Sequence, residues 1–390
     1  MKLVRIRMKV LIAPDSFKGS LSAREVAESI ALGVASVYPE AQIVKLPLAD
    51  GGEGTVDALV TARGGRIIHK EVVGPLGQPV QAFFGLLGDE NTAIIEMAAA
   101  SGLELVPPER RNPLKTTTYG TGQLIAAALD EGVERIIIGI GGSATNDAGL
   151  GMAQALGVGF KDAEGQELGY GGEELTRLVQ IDLSNLDRRI GRTEIIVASD
   201  VTNPLYGEKG AAHVFGPQKG ASPADVELLD QGLRNFAQVV EKQFGWDVAS
   251  LPGAGAAGGL GAALAVFLGA RLESGISFIL DSCHFDDHLK EADLVITGEG
   301  KLDAQTLMGK APFGVAQRAK KRGVPVLALG GAVDPSAVSS LNKYLDAVFS
   351  ITQAAVELEQ AKPKAREWLQ VTTEQVLRCL RYLPRGEFRS

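Results

Sequence analysis

At 390 residues the chain exceeds the size at which a single hydrophobic core usually stops growing, roughly 250–300 residues, so two domains are expected. Hydrophobic residues make up 45% and charged residues 22%, a globular composition; the formal charge of −8 and the lack of a long Lys/Arg run argue against a nucleic-acid partner. Cys283 and Cys379 form no disulfide framework, which points to a reducing, cytoplasmic compartment, and no uncharged apolar stretch of about 18 residues is present to span a membrane.

The N-terminus MKLVRIRMKVLIAP has an apolar run before Pro14 that is too short for a signal segment, and its first seven residues read as an extension ahead of Met8. Lys9 to Ala13 is a β-rich run, followed by a polar loop and the helical pattern Ser22 to Val37, with Ser22 and Glu25 spaced as a capping box. Ile43 to Leu48 reads as the next strand, and Gly51, Gly52 and Gly54 open a second helix through Leu59. This βαβα start predicts a doubly wound parallel sheet, which places ligands at the carboxyl ends of its strands. Strands near 67–73, 80–86, 92–97, 133–140 and 194–198 are expected in a second α/β domain. Leu294 to Thr297, Val324 to Leu329 and Ala347 to Ile351, with helices around 311–322 and 364–381, complete a five-stranded first sheet. The expected fold class is therefore α/β. A flavodoxin-like domain of residues 1–64 plus 289–390 carries residues 65–288 as an insertion, with the active site in the cleft between them. Two consecutive domains are the alternative.

The loop PDSFKGS sets Asp15, Ser16 and Lys18 at a strand's carboxyl end and before a helix N-terminus, where an anion is favoured. Asp15 suits Mg²⁺ or a proton, Lys18 a phosphate or a carboxylate; a capped polar turn explains the loop as well. LADGGEGT repeats the arrangement with Asp50 and Glu53 between glycines. Two acidic loops side by side repel unless a cation lies between them, as Mg²⁺ does when it bridges carboxylates and phosphates.

In IIIGIGGSATNDAGLG, Gly139, Gly141 and Ala144 fit G-x-G-x-x-A, and Asp162 lies roughly 20 residues on, so an NAD-dependent dehydrogenase is a rival reading. Asp147 would set a carboxylate beside the pyrophosphate, an objection that a metal removes. The loop is read instead as a cradle, with Gly141, Gly142, Ser143 and Asn146 toward phosphate and Asp147 toward a metal. Asp200 follows a predicted strand and is a candidate general base, accompanied by Asn203. Gln218 and Lys219 lie between glycines and suit a small carboxylate, although ordinary turns fit both segments. Gly258 and Gly259 in GAGAAGGLG offer backbone N–H groups to a phosphate or, equally, close helix packing. LVITGEGKLDAQTLMGKAP gathers Gly298, Glu299, Gly300, Asp303 and Lys310. It is no Walker A loop, since Ala311 follows Lys310, yet carboxylates for Mg²⁺ and a lysine for phosphate are present. Cys283, His284, Asp286, Asp287 and His288 lack a complete zinc set and read as a solvated loop.

PDSFKGSLSA, LADGGEGT, GIGGSATND, DVTNPLYGEKGA, FGPQKGA, GAAGGLG and TGEGKLDAQTLMGKAP, in that order, resemble the motif series of the type I glycerate kinases over residues 8–385. The resemblance implies a flavodoxin-like domain with an inserted α/β domain, and transfer of the ATP γ-phosphate to D-glycerate, usually at the 2-hydroxyl to give 2-phosphoglycerate, with the 3-hydroxyl as the alternative. It sets the dehydrogenase aside. Ser199 and Ala148 depart from the pattern, small residue for small, and neither change removes a charge. Chemistry then suggests Asp200 or Asp15 as the base, with the substrate carboxylate on Lys18 or Lys219 beside Ser16, Asn203 and Gln218. Mg²⁺ falls among Asp50, Asp147, Glu299 and Asp303, and Lys310 offsets phosphoryl charge. A homo-oligomer is left open.

Overall fold

The structure is a computed structural model that describes residues 8–49 and 51–381. It divides into two compact units, Met1–Asp50 with Ile276–Ser390, and Gly51–Gly275. In chain order the strands are β1 (Lys9–Ile12), β2 (Gln42–Lys45), β3 (Gly65–Val73), β4 (Pro79–Leu87), β5 (Thr92–Glu96), β6 (Arg135–Gly139), β7 (Gly159–Lys161), β8 (Gln180–Asp182), β9 (Glu194–Ala198), β10 (Arg271–Glu273), β11 (Leu294–Leu302), β12 (Val326–Val333) and β13 (Ala347–Ser350).

The discontinuous unit is built on the all-parallel order β13-β12-β11-β1-β2. Counted within the unit this is 2-1-3-4-5, the flavodoxin-like order, whose switch point falls between β1 and β11. Val10, Leu11 and Ile12 are fully buried, as a parallel strand covered on both faces requires. The helix Ala23–Val37 starts at the predicted capping box, with Ser22 and Glu25 bonded reciprocally, and packs against the helix Ala365–Arg381.

The continuous unit holds a sheet of order β10-β9-β6-β5-β4-β3. β5, β6, β9 and β10 run parallel, while β3 and β4 form an antiparallel hairpin at the edge. Its core includes Phe267 packed edge-on against Phe160 and Phe236, with ring centroids 5.8 and 6.1 Å apart. The units divide at 50/51 and 275/276, whereas sequence reading places the joins at 64/65 and 288/289. The helix Thr55–Arg63 accounts for the first difference, because it packs on β3, β4 and β5. The long helix Pro223–Phe244 and the short β7, β8 and β10 are not picked out by the sequence reading. The seven-residue extension, like Asp50, lies outside the described residues. Among the described residues no helix is long and apolar enough to cross a membrane.

Candidate active site

In the discontinuous unit the polar groups gather where the flavodoxin-like order predicts a ligand, at the carboxyl ends of β1 and β11. The chain leaving β1 stays against β11, with Asp15 N donating to Gly298 O at 2.8 Å. Asp15 is 4% exposed, and its Oδ1 accepts from Ser16 N at 2.6 Å, whereas Lys18 is exposed. Glu299 is buried, its Oε1 accepting from Thr306 Oγ1 at 2.6 Å and its Oε2 from Lys310 Nζ at 3.0 Å. Burial pushes this carboxyl up; the bonds from Thr306 and Lys310 oppose the shift, and the charge of Asp303 adds to it. Asp303 caps the turn Ala304–Leu307 through Gln305 N and pairs with Lys301 Nζ at 3.3 Å. Lys310 is the N-cap of the helix Ala311–Lys321, so its ammonium lies beside a helix N-terminus, which favours an anion.

Among the described residues no group of three or more His, Cys, Asp or Glu side chains is placed to hold a metal. Mg²⁺ takes one or two carboxylates and fills its octahedron with phosphate oxygens and water. Glu299 and Asp303 would hold it, since each of their oxygens meets a single protein donor and keeps a lone pair. A Cβ on Gly298 would stand 2.3 Å from Leu329 O, so strand packing by itself requires glycine there. A Cβ on Gly300 would stand 3.6 Å from Lys18 N and from Phe17 Cα, an ordinary contact.

In the continuous unit, the Gly51 turn lies across the carboxyl ends of β6 and β9. A Cβ on Gly139 would come 2.4 Å from Gly51 O, and one on Gly51, whose φ is +88°, 2.7 Å from Ala198 O. Glu96, at the end of β5, is 3% exposed and accepts from Val56 N at 2.7 Å. Burial, reinforced by Glu53 and Asp57, pushes its carboxyl up to about 7 against the bonds from Val56 and Gly54. Two residues beyond β9, Asp200 Oδ1 accepts from Ser274 Oγ at 2.7 Å, and Ser274 itself directly follows β10. Asn203 is turned inward on its own loop, its Nδ2 donating to Lys209 O at 2.8 Å; Gln218 is exposed.

The SATND loop departs most from the sequence reading. Asp147 is fully buried, and its Oδ2 accepts from Thr118 N at 2.9 Å, Thr118 Oγ1 at 2.8 Å and Gly151 N at 3.3 Å, while Oδ1 accepts from Gly149 N at 3.1 Å. These bonds occupy the oxygens assigned to magnesium, so Asp147 fastens the loop instead of binding the metal. Burial raises its pKa and those donors resist the shift. Gly258 and Gly259 are likewise packing glycines: a Cβ on the first would stand 2.1 Å from Thr145 O, and on the second 2.8 Å from Ala148 Cα. Gly141 and Gly142 are exposed, Ser143 is buried, and Asn146 is 0% exposed. Lys219 is 2% exposed, its Nζ donates to Thr145 O at 2.6 Å, and burial lowers its pKa to about 7 against the pull of Asp147.

The dinucleotide fingerprint has no structural counterpart. No helix opens on Gly139–Ala144, the next α-helix beginning at Leu150, and Asp162 is spent on Arg177, Glu164 N and Gln166 N in a hairpin turn. A profile of the glycerate kinase family matches residues 10–381, nearly the whole chain. The chain belongs to the glycerate kinase family. A glycerate kinase of Bacillus subtilis is 54% identical over 95% of this chain and 97% of its own length, and the glycerate 2-kinase of Escherichia coli is 52% identical over 91% and 93%. The crystal structure described as a glycerate kinase 2 from Salmonella typhimurium matches with a TM-score of 0.85 at 53% identity, covering 96% of this chain and 98% of that one. Glu96 and Ser274 are absent from the sequence reading; Glu96, directly after the apolar run Ala93–Ile95, carries the signal that singled out Asp200, whereas no apolar run precedes Ser274 in β10.

Proposed function

We propose that this chain transfers the γ-phosphoryl group of ATP to the 2-hydroxyl of D-glycerate, giving 2-phosphoglycerate and ADP, in the cytoplasm and with Mg²⁺. The observation that carries the chemistry is the Glu299–Asp303–Lys310 group at the carboxyl end of β11, on the flavodoxin-like switch point. The name of the Escherichia coli relative supports the 2-position.

Asp200, oriented by Ser274, accepts the proton that the glycerate hydroxyl loses as its oxygen attacks phosphorus. Lys310 moves its ammonium from Glu299 toward the phosphoryl oxygens and offsets their charge. Magnesium, when bound, neutralises the phosphates of ATP, and Glu299 and Asp303 would hold it. Asp15 and Lys18 line the end of β1, where Lys18 offers a charge to an anionic group.

The deciding assay supplies ATP, Mg²⁺ and D-glycerate and adds enolase without a mutase. Phosphoenolpyruvate forming at once is the expected result; its formation only after mutase is added assigns the 3-hydroxyl, and no glycerate-dependent ADP defeats the kinase reading. Asp200→Asn is expected to lower kcat by about 10²–10⁴, and a loss under about tenfold removes the base assignment. Lys310→Ala with unchanged ATP kinetics would likewise remove Lys310 from phosphoryl transfer.

A further inference from the structure

The carboxyl edge of the continuous unit carries a second set of polar groups that the reaction scheme leaves unused. Arg111 comes from the segment after β5, Thr145 and Asn146 from the loop after β6, and Lys219 from the segment after β9. Glycines with no room for a side chain hold these segments together. A Cβ on Gly220 would stand 2.4 Å from Arg111 O, and one on Gly172 2.6 Å from Asn146 O and 3.0 Å from Pro113 O. Lys219 Nζ closes the set on Thr145 O at 2.6 Å.

Buried polar atoms in folded proteins nearly always find a partner. Here Asn146 Nδ2, Asn146 Oδ1, Thr145 Oγ1 and Arg111 Nε are all buried with none. An amide that is 0% exposed and orphaned at both ends destabilises a fold unless something other than the protein pairs with it. The atoms left over have a definite chemistry. Arg111 Nε–H, the ammonium of Lys219 and Asn146 Nδ2 are donors, two of them charged, while Asn146 Oδ1 is an acceptor and the Thr145 hydroxyl is both. Arg111 is a fixed cation and Lys219 a second one when protonated, against the one carboxylate, Asp147, that faces the Lys219 ammonium. A buried water would satisfy the amide but not the charge, and a fully deprotonated inorganic anion would leave Asn146 Oδ1 without a donor. A carboxylate with a hydroxyl on the neighbouring carbon answers all of them, its oxygens taking the donors and its hydroxyl donating to Asn146 Oδ1. Arg111 is half-buried and Gly220 exposed, so the set lies just below the surface.

We infer that Arg111, Asn146 and Lys219, with Thr145, form the seat for the carboxylate and adjacent hydroxyl of a small hydroxy acid. The seat rests on the kinase reading in that its occupant is the acceptor substrate, D-glycerate.

The test measures D-glycerate binding to the full chain by calorimetry without ATP, together with KM for D-glycerate and for ATP, in wild type, Asn146→Leu and Arg111→Met. Because the Asn146 amide has no partner inside the protein, Asn146→Leu is expected to hold or raise Tm while weakening D-glycerate by at least about tenfold. Arg111→Met is expected to weaken it by roughly thirtyfold or more, with KM for ATP unchanged in both variants. D-Glycerate binding unchanged in both variants, or absent in wild type, overturns the seat. A lowered Tm with equal shifts in both KM values would also overturn it, making the cluster a water-bonded part of the fold. Binding that is weakened as expected, in a wild type that does not phosphorylate D-glycerate, would defeat the kinase reading and leave the seat standing. Phosphorylation with unaffected variants would do the reverse.

Discussion

Replacing Asp147 by Asn separates its structural role from a metal-binding one. The amide is nearly isosteric, so it creates no cavity and changes only charge and hydrogen bonding. Its oxygen can keep the place of Oδ2, bonded to Thr118 N, Thr118 Oγ1 and Gly151 N, but its NH₂ then faces Gly149 N, now 3.1 Å from Oδ1, donor against donor. A buried N–H left without an acceptor costs about 1–3 kcal/mol, and three bonds to a charged acceptor become bonds to a neutral one, each weaker by about 1 kcal/mol. Relief of the desolvation that raises the Asp147 pKa returns part of this, and Lys219 loses the charge that faces it. The net expectation is a loss of about 3 kcal/mol, or roughly 6–12 °C in Tm for a unit of this size. Thermal unfolding followed by circular dichroism at pH 7, with and without magnesium, measures it. A Tm within about 2 °C of wild type, combined with a fall in kcat that extra magnesium restores, would refute the structural assignment.

Glu96 sets a pH dependence whose sign follows from its raised carboxyl. The folded state keeps its proton up to about 7 while the unfolded chain releases it near 4.5, so stability falls as pH rises through that window and levels off above it. Glu96→Gln should gain Tm relative to wild type across the same window, by the equivalent of up to about 3 kcal/mol; a difference that does not change between pH 4.5 and 7 would rule out the buried acid. Gly258→Ala forces a Cβ onto the Thr145 carbonyl at a φ of +70° and should lower Tm by roughly 10 °C or more, so a variant within about 2 °C of wild type would show that the turn can shift. Ser274→Ala removes the bond that orients Asp200 and should lower kcat about tenfold with KM for ATP unchanged; equal kcat in the two proteins would leave Ser274 without a positioning role.

Much of the architecture is legible because parallel strands buried on both faces must be apolar throughout, and the runs at 10–12, 136–138 and 195–197 have no polar member to blur them. The helix Pro223–Phe244 was just as readable, with Ser222 and Asp225 as its capping box and Val226, Leu229, Leu233, Phe236 and Val240 at helical spacing. The short β10 was not, because its three residues gain strand geometry only by pairing with β9. Within the candidate site, adjacency in sequence misleads most. Asn146 and Asp147 are neighbours and both fully buried, yet one carboxylate meets four protein donors and the amide beside it meets none. The partners that decide between fastening the fold and awaiting a ligand come from Thr118, Gly149 and Gly151 in one case and from outside the chain in the other. A linear motif records only that a polar pair occurs there. The same holds for the glycines: Gly51 and Gly258 both have positive φ and both stand against a backbone carbonyl, so their shared necessity reports close packing of main chain on main chain before it reports a phosphate.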